Sequence, residues 1–168
     1  MNSVSAEDLI RLYGLREHPE GGYFKETYRA AGKISRAELK GLFPGDRNFS
    51  TGIYFLLAKG QRSRMHRIRS DEMWHFYLGG PLTIALISPG GQVESIVLGP
   101  DIKAGQKPQH VVPAGCWFGV YPQEGGEFSF VGCTVAPGFD PADFEMADRA
   151  ALLAAFPQAA EIIEKLTP

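Results

Sequence analysis

Cysteine is scarce in this chain: Cys116 and Cys133 are the only two in 168 residues. Two cysteines in a domain of this size are no disulfide framework, and their spacing is not that of a C-x-x-C zinc site or redox pair. We read both as buried, reduced thiols in strands. Surplus charge is lacking too, with 17 Lys and Arg against 19 Asp and Glu, a net charge of −2 and a pI of about 6.1. Without a basic excess there is little to neutralise a phosphate backbone, and nucleic acid is not expected as a partner. The densest basic stretch, Arg62, Arg64, Arg67 and Arg69, is interrupted by Met65, His66 and Ile68. That near-alternation suits a strand or loop facing a ligand better than a solvated charge run. No apolar run approaches the roughly 20 residues that span a bilayer, and residues 1–7 have neither the basic start nor the apolar core of a signal peptide. No membrane partner is expected, and the cytoplasm is the expected compartment. Internal repeats and low-complexity tracts are absent as well.

What is present is a 44% hydrophobic composition over the length of one domain, residues 1–168, enough for a substantial core. Ser5 followed by Asp8 forms a capping box ahead of Leu9, Ile10, Leu12 and Tyr13, which predicts a first helix ending near Gly14. Residues 22–29 turn aromatic and alternating, with Phe24, Glu26 and Tyr28 on one side and Tyr23, Lys25 and Thr27 on the other. Residues 30–48 carry Gly32, Gly41, Pro44 and Gly45 and read as a long loop. Short β-prone runs follow at residues 50–57, 72–78, 82–87, 93–98, 110–112, 118–121 and 128–135, separated by Gly- and Pro-rich turns. Strands at such even spacing predict a sandwich or barrel. Residues 143–153 and 158–166 read as amphipathic helix interrupted at Pro157.

The chemistry concentrates in residues 66–79. Glu72 opens an aromatic strand, and the two-residue period places Trp74, Phe76 and Leu78 on its face while Met73, His75 and Tyr77 face the other way. His66 precedes the turn before that strand. A histidine and a glutamate on one inner barrel wall are able to bind a metal or to act as an acid–base pair. Glu26 and Tyr28 share a strand face with Phe24, which the pattern alone leaves either inner or outer. Trp74, Phe76 and Trp117 fit plain core or the apolar wall of a binding site equally well. His18 reads as a loop histidine at the entry to the first strand, His75 as a surface or interface residue, and the facing of His110 is not fixed over so short a strand.

The run from Glu72 to Gly79 resembles the second half of the first cupin motif, which normally begins with two histidines; here Arg64 stands two positions before His66. Pro113-Ala114-Gly115-Cys116-Trp117-Phe118 resembles the second motif, with Phe118 in place of its histidine. More specifically, residues 18–29, 50–57, 71–77 and 131–139, taken together, are similar to the cupin family catalogued as domain of unknown function 985. The resemblance implies an all-β fold, the double-stranded β-helix or cupin jelly-roll barrel, with short N-terminal and C-terminal helices. It also implies a homodimer and a pocket like that of sugar-nucleotide epimerases of the dTDP-4-dehydrorhamnose type, and it tips Glu26 and Tyr28 toward that pocket.

The expected ligand is a small polar molecule bound in the barrel. One reading is a carbohydrate isomerase or epimerase abstracting a proton next to a carbonyl, with His66 as base and Glu72 or Tyr28 as its partner. Glu26, Thr51, Trp74, Phe76, Gln109, Trp117 and Thr134 are the expected ligand contacts. The alternatives are a non-catalytic binding or sensor cupin and a barrel simply filled by its aromatics. No metal or other cofactor is expected, because Arg64 and Phe118 replace two of the usual ligands and His66 with Glu72 are too few for tight binding. A homodimer is expected also from the long aromatic strand at residues 23–29, which alone would leave an adhesive edge.

Overall fold

The computed structural model describes residues 4–168, so the first three residues of the amino-terminal reading lie outside the described residues. In α1 (Ala6–Tyr13) the Ser5 hydroxyl accepts the Asp8 N–H at 3.1 Å while the Ser5 N–H donates to the Asp8 carboxylate at 3.2 Å. Gly14 ends the helix in the left-handed region at φ 61°, a conformation that glycine adopts without a Cβ penalty.

The strands are β1 (Arg16–Glu17), β2 (Tyr23–Arg29), β3 (Lys33–Ile34), β4 (Arg47–Asn48), β5 (Thr51–Ala58), β6 (Ser63–Arg67), β7 (Asp71–Gly79), β8 (Leu82–Ile87), β9 (Val93–Leu98), β10 (Gln109–Val112), β11 (Trp117–Pro122), β12 (Phe128–Ala136) and β13 (Glu145–Met146). One antiparallel sheet runs β1-β2-β5-β12-β7-β10 and the facing one β13-β6-β11-β8-β9. The loop expected over residues 30–48 instead contains the small β3–β4 ladder. Helix was expected from residue 143, yet β13 pairs with β6 there, and α2 (Arg149–Ala155) starts only after Asp148 caps the Ala151 N–H at 2.8 Å. The open edge of β6 and an Arg67–Glu145 ion pair at 2.7 Å hold that segment extended. A short 3₁₀ turn at Pro157–Ala159 then leads into α3 (Ala160–Leu166).

Register across the larger sheet sorts the inner side chains into layers. Arg29, Thr51, Val135 and Glu72 lie side by side; next come Glu26, Ile53, Cys133 and Trp74, and beyond them Phe24, Phe55, Val131 and Phe76. Phe55 and Trp74 meet Phe118, Leu82, Ile84, Leu86 and Val120 from the facing sheet in a continuous apolar core. Each such side chain, fully buried, contributes roughly 1.5–3 kcal/mol. The barrel is therefore packed solid at one end and hollow at the other.

Two bulges interrupt the alternation. Between Glu26 and Tyr28 the register against β5 slips, as does that of β7 against β12 around Tyr77. An extra residue in one strand reverses the facing of the side chains beyond it. Outside the barrel, α1 covers Leu56, Phe128 and Phe130, while α2 and α3 bring Leu152, Ile163 and Leu166 onto Met65, Ile87 and Trp117. β8, buried along its whole length, thus has apolar neighbours on both faces.

Candidate active site

The segment His18-Pro19-Glu20-Gly21-Gly22 folds into a turn in which the His18 N–H donates to Gly22 O and the Gly21 N–H to His18 O, each at 2.9 Å. Gly21 sits at φ +114°, and a Cβ there would run into the carbonyl of Arg62. Glycine lets the turn lie flat on β6, where the Arg64 N–H donates to Glu20 O at 2.8 Å and the Arg64 guanidinium bonds Pro19 O. The result is that Glu20, a residue the sequence pattern did not single out, points into the barrel and is buried. His18 follows it inward, correcting its reading as a mere loop residue.

At the hollow end lies a cavity of about 250 Å³. Glu20, His66, Glu72 and Cys133 form its polar side, Phe24, Ile53 and Val135 its apolar wall, and Phe139, Pro141 and Phe144 its roof. The roof is pinned: the Phe139 N–H donates to Thr51 Oγ1 at 2.9 Å and the Ser70 hydroxyl to Pro137 O at 2.8 Å. Beneath the 3₁₀ turn Pro141–Asp143, a buried bidentate pair joins Arg47 to Asp143 at 2.6 and 2.7 Å.

His66 Nδ1 lies 2.7 Å from Arg64 O, a contact that requires an N–H there and leaves Nε2 facing Glu20 Oε2 at 3.0 Å. A bare lone pair against a carboxylate would repel, so a proton occupies that gap. Burial pushes the Glu20 carboxyl up to about 7, against opposing effects of His18, Ser63 and Arg64. Burial likewise lifts Glu72 to about 7, while His66 pulls it down and Glu20 raises it further. The same loss of water lowers the pKa of His66 and of His18, disfavouring imidazolium. Two carboxyls and an imidazole are thereby poised to exchange protons near neutrality.

The structure brings His66, Glu72, Glu26 and Thr51 together around the cavity. Trp74 and Phe76 face the same interior but lie deeper, in or against the solid core. Four of the expected site residues lie elsewhere. Tyr28 is 58% exposed, turned outward by the bulge at Thr27 so that it pairs with outward-facing Gly52. Trp117 packs beneath α2 and α3 with Arg67 stacked on it at 4.4 Å, because on β11 it is Phe118 that points inward. Thr134 and Gln109 are exposed, bonded to His75 Nε2 at 3.0 Å and to the Met73 sulfur at 2.9 Å. Nor does the basic stretch face a ligand: Arg62 caps Lys165 O, Arg64 holds the glycine turn, Arg67 binds Glu145 and Arg69 reaches Leu42 O.

As placed, the donors do not fit a divalent metal. Both His66 nitrogens are engaged, Phe118 lies against the imidazole with ring centroids 4.2 Å apart, and among the described residues no three His, Cys, Asp or Glu side chains converge to hold an ion.

Facing antiparallel sheets in this order, hollow at one end, define a jelly-roll barrel of the cupin class. The chain belongs to the Cupin superfamily (DUF985), whose model matches residues 7–147. It is 33% identical over 144 residues to the uncharacterized protein YML079W of Saccharomyces cerevisiae, covering 81% of this chain and 72% of that one. Among solved structures it is similar to protein SO0799 of Shewanella oneidensis, with 40% identity, a TM-score of 0.88 and 99% of each chain covered. A hypothetical protein from Leishmania major matches at 32% identity and a TM-score of 0.88 over 98% of this chain and 99% of that one. Oxalate decarboxylase of Bacillus subtilis shares the fold at 14% identity and a TM-score of 0.54, this chain covering 40% of its length. At that identity the likeness extends to the fold alone. No helix among the described residues is long and apolar enough to cross a membrane.

Proposed function

We propose that the protein catalyses proton transfer next to a carbonyl in a small polar molecule, an isomerase or epimerase chemistry that uses no metal. The supporting observation is the Glu20–His66 contact at 3.0 Å beside Glu72, all three side chains buried at the inner end of the cavity. Glu72 takes the proton from carbon, and the proton held between Glu20 and His66 passes to the carbonyl oxygen, giving a neutral enediol. Glu72 then returns its proton to the adjacent carbon and the hydroxyl proton goes back to Glu20, whereas epimerisation needs the enediol to turn over so that the same carboxyl reaches its other face. Tyr28, directed to solvent, has no part in this scheme. Incubating the protein in D₂O with a panel of aldoses, ketoses and hydroxyketones, in the presence of EDTA, tests it by NMR. Deuterium is expected to enter at the carbon next to the carbonyl, falling to background in His66→Gln and Glu20→Gln. Ligand binding without exchange would leave a binding module and sink the catalytic reading.

We also propose a homodimer. β1 covers only Tyr23 and Phe24 of β2, and Tyr28, Tyr77 and Leu78 are large side chains left exposed. Light scattering at micromolar concentration should return twice the 18.4 kDa chain mass, and a monomer mass would overturn the proposal.

A further inference from the structure

We infer that the cavity admits uncharged or amine-bearing ligands of monosaccharide size and excludes phosphorylated and carboxylated ones. The inference requires only that this cavity is the ligand site; it does not depend on turnover. Glu20, Glu26 and Glu72 all line it, and among the described residues Arg29 is its only Lys or Arg. That guanidinium is already committed. Nε and Nη2 donate to the two Glu26 oxygens at 2.9 and 2.7 Å, and Nη1 donates to Asn48 Oδ1 and Phe139 O at 2.9 and 3.1 Å. Four of its five N–H donors are thus spoken for, and its charge is matched by Glu26.

The imidazoles offer an anion no charge, since burial disfavours imidazolium in both, and His18 Nε2–H is left as a neutral donor. His66 gives its Nδ1 hydrogen to Arg64 O and turns Nε2 to Glu20, and His18 Nδ1 accepts the Glu20 N–H at 3.3 Å. An anionic group would enter among carboxyls with no free Lys or Arg among the described residues to receive it, in a site partly stripped of water. A hydroxyl or ammonium finds acceptors on Glu20 and Glu72, and the rings of Phe24, Phe139 and Phe144 suit a sugar's C–H face or a cation. Size acts in the same direction. A volume of about 250 Å³ lies below the range of roughly 300–1,000 Å³ typical of sites for drug-sized molecules, so the cavity itself holds no more than a monosaccharide-sized group.

Calorimetry and protein NMR with near-isosteric pyranoses test this on the full chain: glucose and xylose as neutral probes, glucosamine and galactosamine as amines, glucuronate and glucose 6-phosphate as anions. A neutral or amine probe is expected to bind at least about tenfold more tightly than its anionic counterpart and to shift the His18 and His66 ring signals. Equal or tighter anion binding at those signals overturns the inference, as does the failure of every probe to bind. Glu26→Gln, which leaves Arg29 unmatched, should gain roughly tenfold or more in glucuronate affinity. Glu72→Gln serves as a second variant should the first fold poorly, with the same gain expected. Binding of neutral probes without deuterium exchange would sink the proton-transfer reading and leave this inference standing, whereas exchange on an anionic substrate alone would do the reverse.

Discussion

Replacing Asp143 by Ala is expected to cost about 3–5 kcal/mol in urea unfolding, among the largest effects of any single change outside the core. Asp143 and Arg47 form a bidentate pair with side chains 3% and 4% exposed. Truncating the carboxylate strands a guanidinium that cannot escape by losing its proton. What remains in contact with it is the Asp46 carbonyl at 2.7 Å and the Phe43 ring at 5.5 Å, with the Asp140 and Asp46 carboxylates acting from farther off. The pair ties the segment of β3 and β4 to the 3₁₀ turn that carries Pro141 toward the roof. The roof amides should therefore lose hydrogen-exchange protection in the variant. Combining Arg47→Met with Asp143→Leu should recover most of the loss, because matched apolar groups replace a buried ion pair at little cost. A single variant as stable as the wild type would show that the pair is not buried in solution.

The second large effect is a pH dependence made of opposing parts in the wild type. Glu20 and Glu72 titrate near 7 in the folded protein against 4.5 for a free glutamate. The stability they contribute is complete below about pH 4.5 and is lost as pH rises through 7. His66 and His18 shift the opposite way, downward from 6.5, so their contribution is complete above 6.5 and is lost as pH falls. Between pH 4.5 and 6.5 the two carboxyls bind protons on folding, while the two lowered imidazoles release them as pH falls below 6.5, so the two slopes oppose one another. His66→Gln unmasks one carboxyl, and its stability relative to wild type should fall as pH rises. Glu20→Gln unmasks one imidazole and should do the opposite. Each uncompensated proton changes the folding constant roughly tenfold per pH unit. Urea titrations at pH 5 and 6.5 would read a divergence of tenfold or more between the two variants, and parallel curves would rule the buried cluster out.

Much of the barrel was legible because turns and period agree. The Pro89-Gly90-Gly91 turn brackets β8 and β9 at the boundaries expected of them. Glu72, Trp74 and Phe76 were legible because a regular strand separates its faces, whereas His66 stood out by residue type and its strand, β6, was not among the expected runs. The bulge at Thr27 was not, since an extra residue leaves no mark in a hydrophobic pattern, and it turned Tyr28 outward. Trp117 misled for a different reason: the outer face of β11 is apolar too, being covered by α2 and α3, so side-chain type no longer distinguishes inside from outside. Glu20 lay hidden because its burial depends on a glycine turn seated against Arg62 and Arg64, more than forty residues away in sequence. No local period records such a contact.

The solid core below Trp74 and Phe55 gives the barrel one doorway rather than a passage. Whatever enters past Glu26 and Arg29 must depart by the same opening, so the spent molecule and its replacement cannot pass one another. On the proposed reading, product would compete with substrate for the same vestibule. Such a dead-end site would suit one-substrate interconversions and penalise reactions needing two large partners at once.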